Sequence, residues 1–324
     1  MPAEIVSSNY ALYINKEFVS LKNIKAGSLK VNCKFAMLHL VLVFSSFLNV
    51  ALSLQGRSGG YPKFPVEESC GVRAVTWSPR REGRVVGGQI PPYGAIPWQV
   101  QLRRGREHQC GGALLSNRLV LTVAHCWTDG LIAVTGSYDY SRTSGGQSIR
   151  VEKAIPHPEF RKYGPYSNDI ALLVLSEPGI QIGPLSRPAC LSHQTPPEGT
   201  WCEVSGWGAT DPSYPDQLSP TLKAAVVPLL SLDTCRKDGI YGGRQQPILD
   251  SMVCAGRLHG GVDACGGDSG GPLVCEINGR MELTGLVSWG DGCAKRDRPG
   301  VYTRISNYVP WIKEVADHYG VDYQ

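Results

Sequence analysis

The sequence predicts an all-β protein, a β-barrel or sandwich closed by one helix at its C-terminus. Three observations carry this. Glycine (38) and proline (23) are plentiful and only 19% of the 324 residues are charged, a composition closer to a turn-rich β protein than to a helical bundle. Short apolar runs recur at strand length: Trp98–Leu102 alternates with a period of two, while Arg118–Val123 and Ile170–Leu175 read as buried strands. Turn clusters such as Ser144-Gly145-Gly146 and Asp211-Pro212-Ser213 separate such runs. The length suffices for one large or two small domains.

Taken in order, residues 1–54 form an N-terminal extension ending in the apolar run Phe35–Leu54. Ala51-Leu52-Ser53 supplies the small residues of a signal-peptide cleavage site. The same run has the ~20 residues of a spanning helix, with Lys16, Lys22, Lys25, Lys30 and Lys34 upstream, which keeps a type II membrane anchor open. Ser45, Ser46 and Asn49 make a rather polar span and favour a cleaved signal and a secreted product. Translation from Met37 in place of Met1 would give a compact signal sequence. Residues 55–84, rich in Gly, Pro, Ser and Arg, read as a linker or propeptide. At the far end, Tyr308, Trp311, Ile312, Val315 and Tyr319 recur at helical spacing, with Ser306 or Asn307 as N-cap and Gly320 as the stop.

Charge is unevenly distributed. Eleven Lys/Arg face five Asp/Glu up to Arg84, whereas 21 face 23 from Val85 onward. A near-neutral body gives no reason to expect nucleic acid as a partner. Eleven cysteines point to disulfides formed in an oxidising compartment. Zinc fails on spacing, because no Cys-x-x-Cys or His/Cys knuckle occurs.

The sharpest chemical signal is Gly267-Asp268-Ser269-Gly270-Gly271-Pro272. A serine becomes a nucleophile when a base takes its proton and donors hold the oxyanion, and glycines let backbone N–H groups converge. The string also fits the Gly-x-Ser-x-Gly elbow of α/β-hydrolases. That elbow must lead into a helix, for which Gly270-Gly271-Pro272 is a poor start, and its order would require His318 as base. Two other segments fit better: Leu121–Cys126, with His125 at a strand end, and Asn168–Leu173, with Asp169 before an apolar strand. Alone, His125 reads as a structural histidine and Asp169 as a turn acid. The order His125, Asp169, Ser269 is that of chymotrypsin-like proteases.

From Val85 to the C-terminus the chain resembles the trypsin/chymotrypsin family of serine peptidases. The matching segments are Arg84-Val85-Val86-Gly87-Gly88, those around His125 and Asp169, Gly206-Trp207-Gly208, Gly267–Pro272 and Ser288-Trp289-Gly290. Val123 stands where alanine is commoner, with no functional consequence expected. The resemblance implies two six-stranded antiparallel β-barrels packed with the active site between them, plus the C-terminal helix. It divides the chain into extension 1–54, propeptide or light chain 55–84 and peptidase domain 85–324.

Carried over residue by residue, the resemblance makes Ser269 the nucleophile, His125 the general base and acid, and Asp169 the orienting acid. Gly267 and Ser269 N–H groups form the oxyanion hole. The Ser288–Gly290 edge, including Trp289, pairs with an extended substrate. Asp263 lies at the base of the primary pocket, with Gly290 and Gly300 in its walls. An acid there favours Arg or Lys before the scissile bond, and Ala264, where some relatives have serine, tilts the preference to Arg. Gly266 replaces a larger rim residue and implies a more open site. Cleavage after Arg84 frees the Val85 amino group to pair with Asp268, and Arg81-Glu82-Gly83-Arg84 fits the weak Arg-x-x-Arg convertase pattern. The implied disulfides are Cys110–Cys126, Cys202–Cys275, Cys235–Cys254, Cys265–Cys293 and Cys70–Cys190, the last tethering the propeptide. Cys33 is left over.

The implied partners are protein or peptide substrates, an activating protease and protein inhibitors, with the protease itself a monomer. No cofactor and no metal are expected: Ser137 and Gly146 occupy the positions of acids that hold calcium in some relatives. No Asn-x-Ser/Thr sequon occurs. Arg103-Arg104-Gly105-Arg106 and Lys295-Arg296-Asp297-Arg298 are candidate basic exosites or plain solvated loops. A rival reading, a protease-like binding protein without catalysis, would need a broken triad, pocket or activation site.

Overall fold

The computed structural model describes residues 70–79, 88–139, 146–211, 213–214 and 216–323. The apolar run at 35–54, Cys33 and the Arg84–Val85 bond lie outside them. Strands β1 (Gln99–Arg104), β2 (Glu107–Leu114), β3 (Leu119–Thr122), β4 (Leu131–Thr135), β5 (Gln147–Pro156) and β6 (Ala171–Leu175) close into an antiparallel barrel. Its order is β1-β2-β3-β6-β5-β4.

The second barrel uses β8 (Trp201–Gly206), β9 (Lys223–Leu230), β10 (Met252–Ala255), β11 (Pro272–Ile277), β12 (Arg280–Trp289) and β13 (Gly300–Arg304). Its order is β11-β8-β9-β10-β13-β12, closed by pairing of β11 with β12. The two-residue β7 (Cys190–Leu191) adds in parallel to β12. Closure leaves neither barrel a bare long edge. The β11–β12 hairpin turns at Asn278-Gly279, both with positive φ (52° and 76°), the conformation that a two-residue hairpin selects Asn-Gly for.

Two sequence expectations change in detail. The alternation in Trp98–Leu102 predicts one wet face, yet Gln99 and Gln101 are buried with their apolar neighbours. Part of the reason is that Gln99 turns toward β8 of the other barrel, where its Oε1 accepts a 2.6 Å hydrogen bond from the Ser205 hydroxyl. The C-terminal helix runs Val309–Tyr319 with Tyr308 as N-cap, not Ser306 or Asn307. A 3-10 turn, Ile305–Asn307, intervenes, and the Ser306 hydroxyl faces Thr195 Oγ1 at 3.1 Å. Gly320 ends the helix in the left-handed conformation. Ile312 and Ala316 are buried on the helix's inner face.

Five disulfides join Cys70–Cys190, Cys110–Cys126, Cys202–Cys275, Cys235–Cys254 and Cys265–Cys293. No helix among the described residues is long and apolar enough to cross a membrane.

Candidate active site

Three loops hung on barrel strands build the site. β3 runs straight into the 3-10 turn Ala124–Cys126, which carries His125. Asp169 lies two residues before β6, whose five residues are all buried and so hold the strand, and the acid ahead of it, in a fixed place. Asp169 is 1% exposed. Its carboxylate has three donors: the His125 backbone N–H on Oδ1 at 3.0 Å, and His125 Nδ1 at 2.7 Å and the Ser288 hydroxyl at 2.6 Å on Oδ2. The Thr303 hydroxyl donates to its main-chain carbonyl at 2.6 Å. With Nδ1–H aimed at Asp169, the His125 tautomer leaves Nε2 free to accept a proton.

Ser269 stands in the turn before β11. Its carbonyl accepts from Gly111 N–H at 2.7 Å. Gly111 follows Cys110, whose disulfide partner Cys126 follows His125. The histidine and serine loops are therefore stapled to one another through a hydrogen bond and a covalent bridge. Beside Ser269, the Gly267 carbonyl accepts from His108 Nε2 at 2.7 Å, and Gln101 Nε2 meets His108 Nδ1 at 3.2 Å. Burial lowers the His108 pKa, in keeping with a neutral ring that donates from Nε2 and accepts at Nδ1. This contact turns the Gly267 carbonyl toward His108, so the peptide has a set orientation.

Asp268 points the other way, into the protein. Its Oδ1 accepts from Gly208 N–H at 2.7 Å and its Oδ2 from Cys265 N–H at 2.9 Å. Burial pushes its pKa up to about 6 despite those two donors. A Cβ on Gly206 or Gly208 would lie 2.1 or 2.3 Å from its oxygens, which is why Gly-Trp-Gly brackets this acid. Gly88, Gly206, Gly208, Asp263 and Asp268 are among the residues lining a cavity of about 30 Å³. That is room for a water or an amino group. Gly88 enters alongside, anchored by the Gln89–Ala224 bridge with hydrogen bonds of 2.7 and 2.9 Å.

Asp263 accepts from Ala264 N–H at 2.9 Å and from Ala294 N–H at 3.3 Å. Burial, aided by the charge of Asp268, raises its pKa to about 7 against those donors. A Cβ on Gly300 would come within 2.8 Å of its Oδ1, so glycine keeps the wall beside the acid open. Tyr302 backs this region, with a buried hydroxyl that has no hydrogen-bond partner among the described residues. The Cys265–Cys293 bridge ties the two walls. Gly266 is exposed, and its carbonyl accepts from Ala209 N–H at 2.8 Å.

Beside Trp289 stand two residues that sequence reasoning passed over, Tyr166 and Tyr241. Trp289 stacks on Tyr166 with centroids 5.8 Å apart and meets the Tyr241 ring edge-on at 5.1 Å. Tyr166 in turn meets His125 at 5.9 Å. Thr303 and His108 were missed too, because each acts through a long-range contact. Tyr166, three residues before Asp169, carried the only local signal.

The family profile described as Trypsin matches residues 85–312. Human serine protease 56 is 41% identical over 260 residues, covering 77% of this chain and 42% of that protein. Rat trypsin-4 is 41% identical over 246 residues, 74% of this chain and 93% of the other. Human transmembrane protease serine 5 is 38% identical over 257 residues, 76% and 53% respectively. The matched part thus spans about two fifths of serine protease 56 and nearly all of trypsin-4.

Proposed function

The chain belongs to the trypsin family of serine peptidases, and from that premise we propose that it is a zymogen whose active form hydrolyses peptide bonds after Arg, and less well after Lys. The observation that carries the reading is Asp263, an acid set deep between glycine-lined walls with two backbone donors and no cationic partner among the described residues. A guanidinium would meet it bidentately.

In the proposed reaction the Ser269 hydroxyl adds to the scissile carbonyl while His125 Nε2 takes its proton. Asp169 holds the imidazole and stabilises its charged form. N–H groups of Gly267 and Ser269 receive the oxyanion, a contribution of about 3 kcal/mol to the transition state. His125 then protonates the leaving amine, giving an acyl-enzyme on Ser269. Water attacks with His125 as base, and Ser269 regains its proton as the carboxylic product leaves. The Ser288–Gly290 edge at the end of β12 aligns the substrate backbone.

Activation follows from the Asp268 cavity. Cleavage after Arg84 makes a new ammonium at Val85, three residues before Gly88 at the cavity's edge. Pairing with Asp268 would fix the Gly267–Ser269 turn in its working form. The domain limits are propeptide or light chain 55–84 and peptidase 85–324, with Cys70–Cys190 keeping the two joined. The proposed partners are an activating protease, protein substrates and protein inhibitors, and the proposed site of action is outside the cell. A second reading, anchorage by residues 35–54, draws support from the apolar run and from the relative named as a transmembrane protease. Cell fractionation separates the two.

The test is hydrolysis of peptides that differ only in the residue before the scissile bond. It is run before and after cleavage at Arg84, beside Ser269→Ala. Turnover after Arg exceeding Lys, seen only in the cleaved wild type, is expected. No turnover despite a verified Val85 amino terminus would overturn the proposal.

A further inference from the structure

Residues 70–79 precede the proposed cleavage site, yet Gly71 is buried and the Arg73 and Trp77 side chains are packed against the body of the protein. Arg73 carries the contact. Its guanidinium forms an ion pair with Glu203 Oε2 at 2.9 Å, the two side chains being 12% and 3% exposed. Its other amino group donates to the Ala95 carbonyl. The guanidinium carbon lies 4.9 Å from the ring centre of Trp98 and 5.5 Å from that of Trp77. Trp98 is 0% exposed, and Trp77 packs on the same core cluster. The backbone adds a second attachment: Gly71 N–H donates to the Pro188 carbonyl at 2.8 Å and Met281 N–H to the Gly71 carbonyl at 2.9 Å.

Glu203 belongs to β8, between β9 and β11, in the wall of the second barrel. A carboxylate there is costly unless a cation faces it. Its other oxygen, Oε1, has no hydrogen-bond partner among the described residues. Burial raises its pKa to about 7, and Arg73 is the group that opposes the rise. Among the described residues, the one cation paired with this acid comes from the segment that activation would sever from the peptidase chain. Trp98 depends on it in the same way, because the guanidinium covers its ring.

We propose that residues 70–79 are a permanent subunit of the mature protease, docked in an arginine-accepting site formed by Glu203, Trp98 and the Ala95 carbonyl, and retained there without help from the Cys70–Cys190 disulfide. This rests on the activation reading for the cleavage itself; the docking site does not depend on it. The site takes a planar cation flanked by an aromatic residue, here Arg73 with Trp77. A lysine has the charge but cannot stack on the indole while bonding both Glu203 and Ala95.

The experiment uses the full chain with Cys70→Ser and Cys190→Ser together, cleaved after Arg84 and passed through a non-denaturing sizing column. The peak is analysed by mass spectrometry for the fragment holding residues 70–79. The proposal expects the fragment to co-elute with the peptidase body, and Arg73→Ala in the same background to release it. A fragment lost while Arg73 is intact overturns it.

Should the cysteine variant not fold, a double-mutant cycle on the disulfide-intact, uncleaved chain decides the docking. Arg73→Met and Glu203→Leu should each lower Tm by about 10 °C, and the pair together should recover most of the loss. Additive losses overturn the proposal. Failure to cleave after Arg84 would count against the activation reading alone, leaving this cycle to judge the site.

Discussion

Ser288 donates its hydroxyl to Asp169 Oδ2 across 2.6 Å, the same oxygen that receives His125 Nδ1. A residue of the second barrel thus holds the acid that the first barrel presents to its histidine. Ser288→Ala removes one of three donors to a buried carboxylate and should lower kcat/KM about tenfold. The loss should fall on kcat, since the hydroxyl is spent on Asp169. Steady-state kinetics on one arginyl peptide checks it, and a loss confined to KM would point to a substrate contact instead.

Asp263 must be ionised to receive a guanidinium, and burial lifts its pKa to about 7. Hydrolysis after arginine should therefore weaken as pH falls through about 7, more steeply than hydrolysis of a peptide with an uncharged residue at that position. The ratio of the two kcat/KM profiles cancels any titration they share. The stability sign is opposite. The raised pKa means the folded state binds this proton more tightly, so the ionised acid costs stability above about pH 7 and the cost is relieved as pH falls. Asp263→Asn should flatten the ratio and cut arginine cleavage by about three orders of magnitude.

Ala264 donates its backbone N–H to Asp263 Oδ1 and offers no side-chain hydroxyl. Ala264→Ser adds a donor and acceptor beside the pocket acid. Lysine cleavage relative to arginine should rise roughly three- to tenfold, the worth of one hydrogen bond. Matched lysyl and arginyl peptides measure it.

Asp268 is held by Gly208 and Cys265 N–H groups beside a cavity that Gly88 also lines. Asp268→Asn should leave cleavage after Arg84 intact while lowering activity by about two to three orders of magnitude, through loss of the pairing with the new ammonium. Gly206→Ala, whose Cβ would sit 2.1 Å from Asp268 Oδ1, should do the same. N-terminal sequencing beside the peptide assay separates blocked cleavage from failed activation.

Much of the candidate site was legible in the chain because its chemistry is local. Gly267–Pro272 carries the proposed nucleophile, its neighbouring acid and the glycines flanking them in six residues, and the helix stop at Gly320 is equally short-range. Less legible were contacts that join distant segments. Ser288 and Asp169 are 119 residues apart, Thr303 and Asp169 134, and Arg73 and Glu203 130. No periodicity or spacing rule reaches across such intervals.

The sequence by itself determined the class of fold and the order His125, Asp169, Ser269, since residue type and local pattern suffice for these, while the family resemblance singled out Asp263. Only the tertiary structure decided what those groups face. Closing two barrels against each other buries Gln99 and Gln101 where alternation promised solvent, and it packs Trp289, Tyr166 and His125 in one row. It also sets Arg73 over Trp98 and against Glu203, so that a segment with the composition of a linker fills a site in the body. The physical reason is that burial and charge pairing belong to the packed chain, and a residue's partner across a barrel wall leaves no mark on its neighbours in sequence.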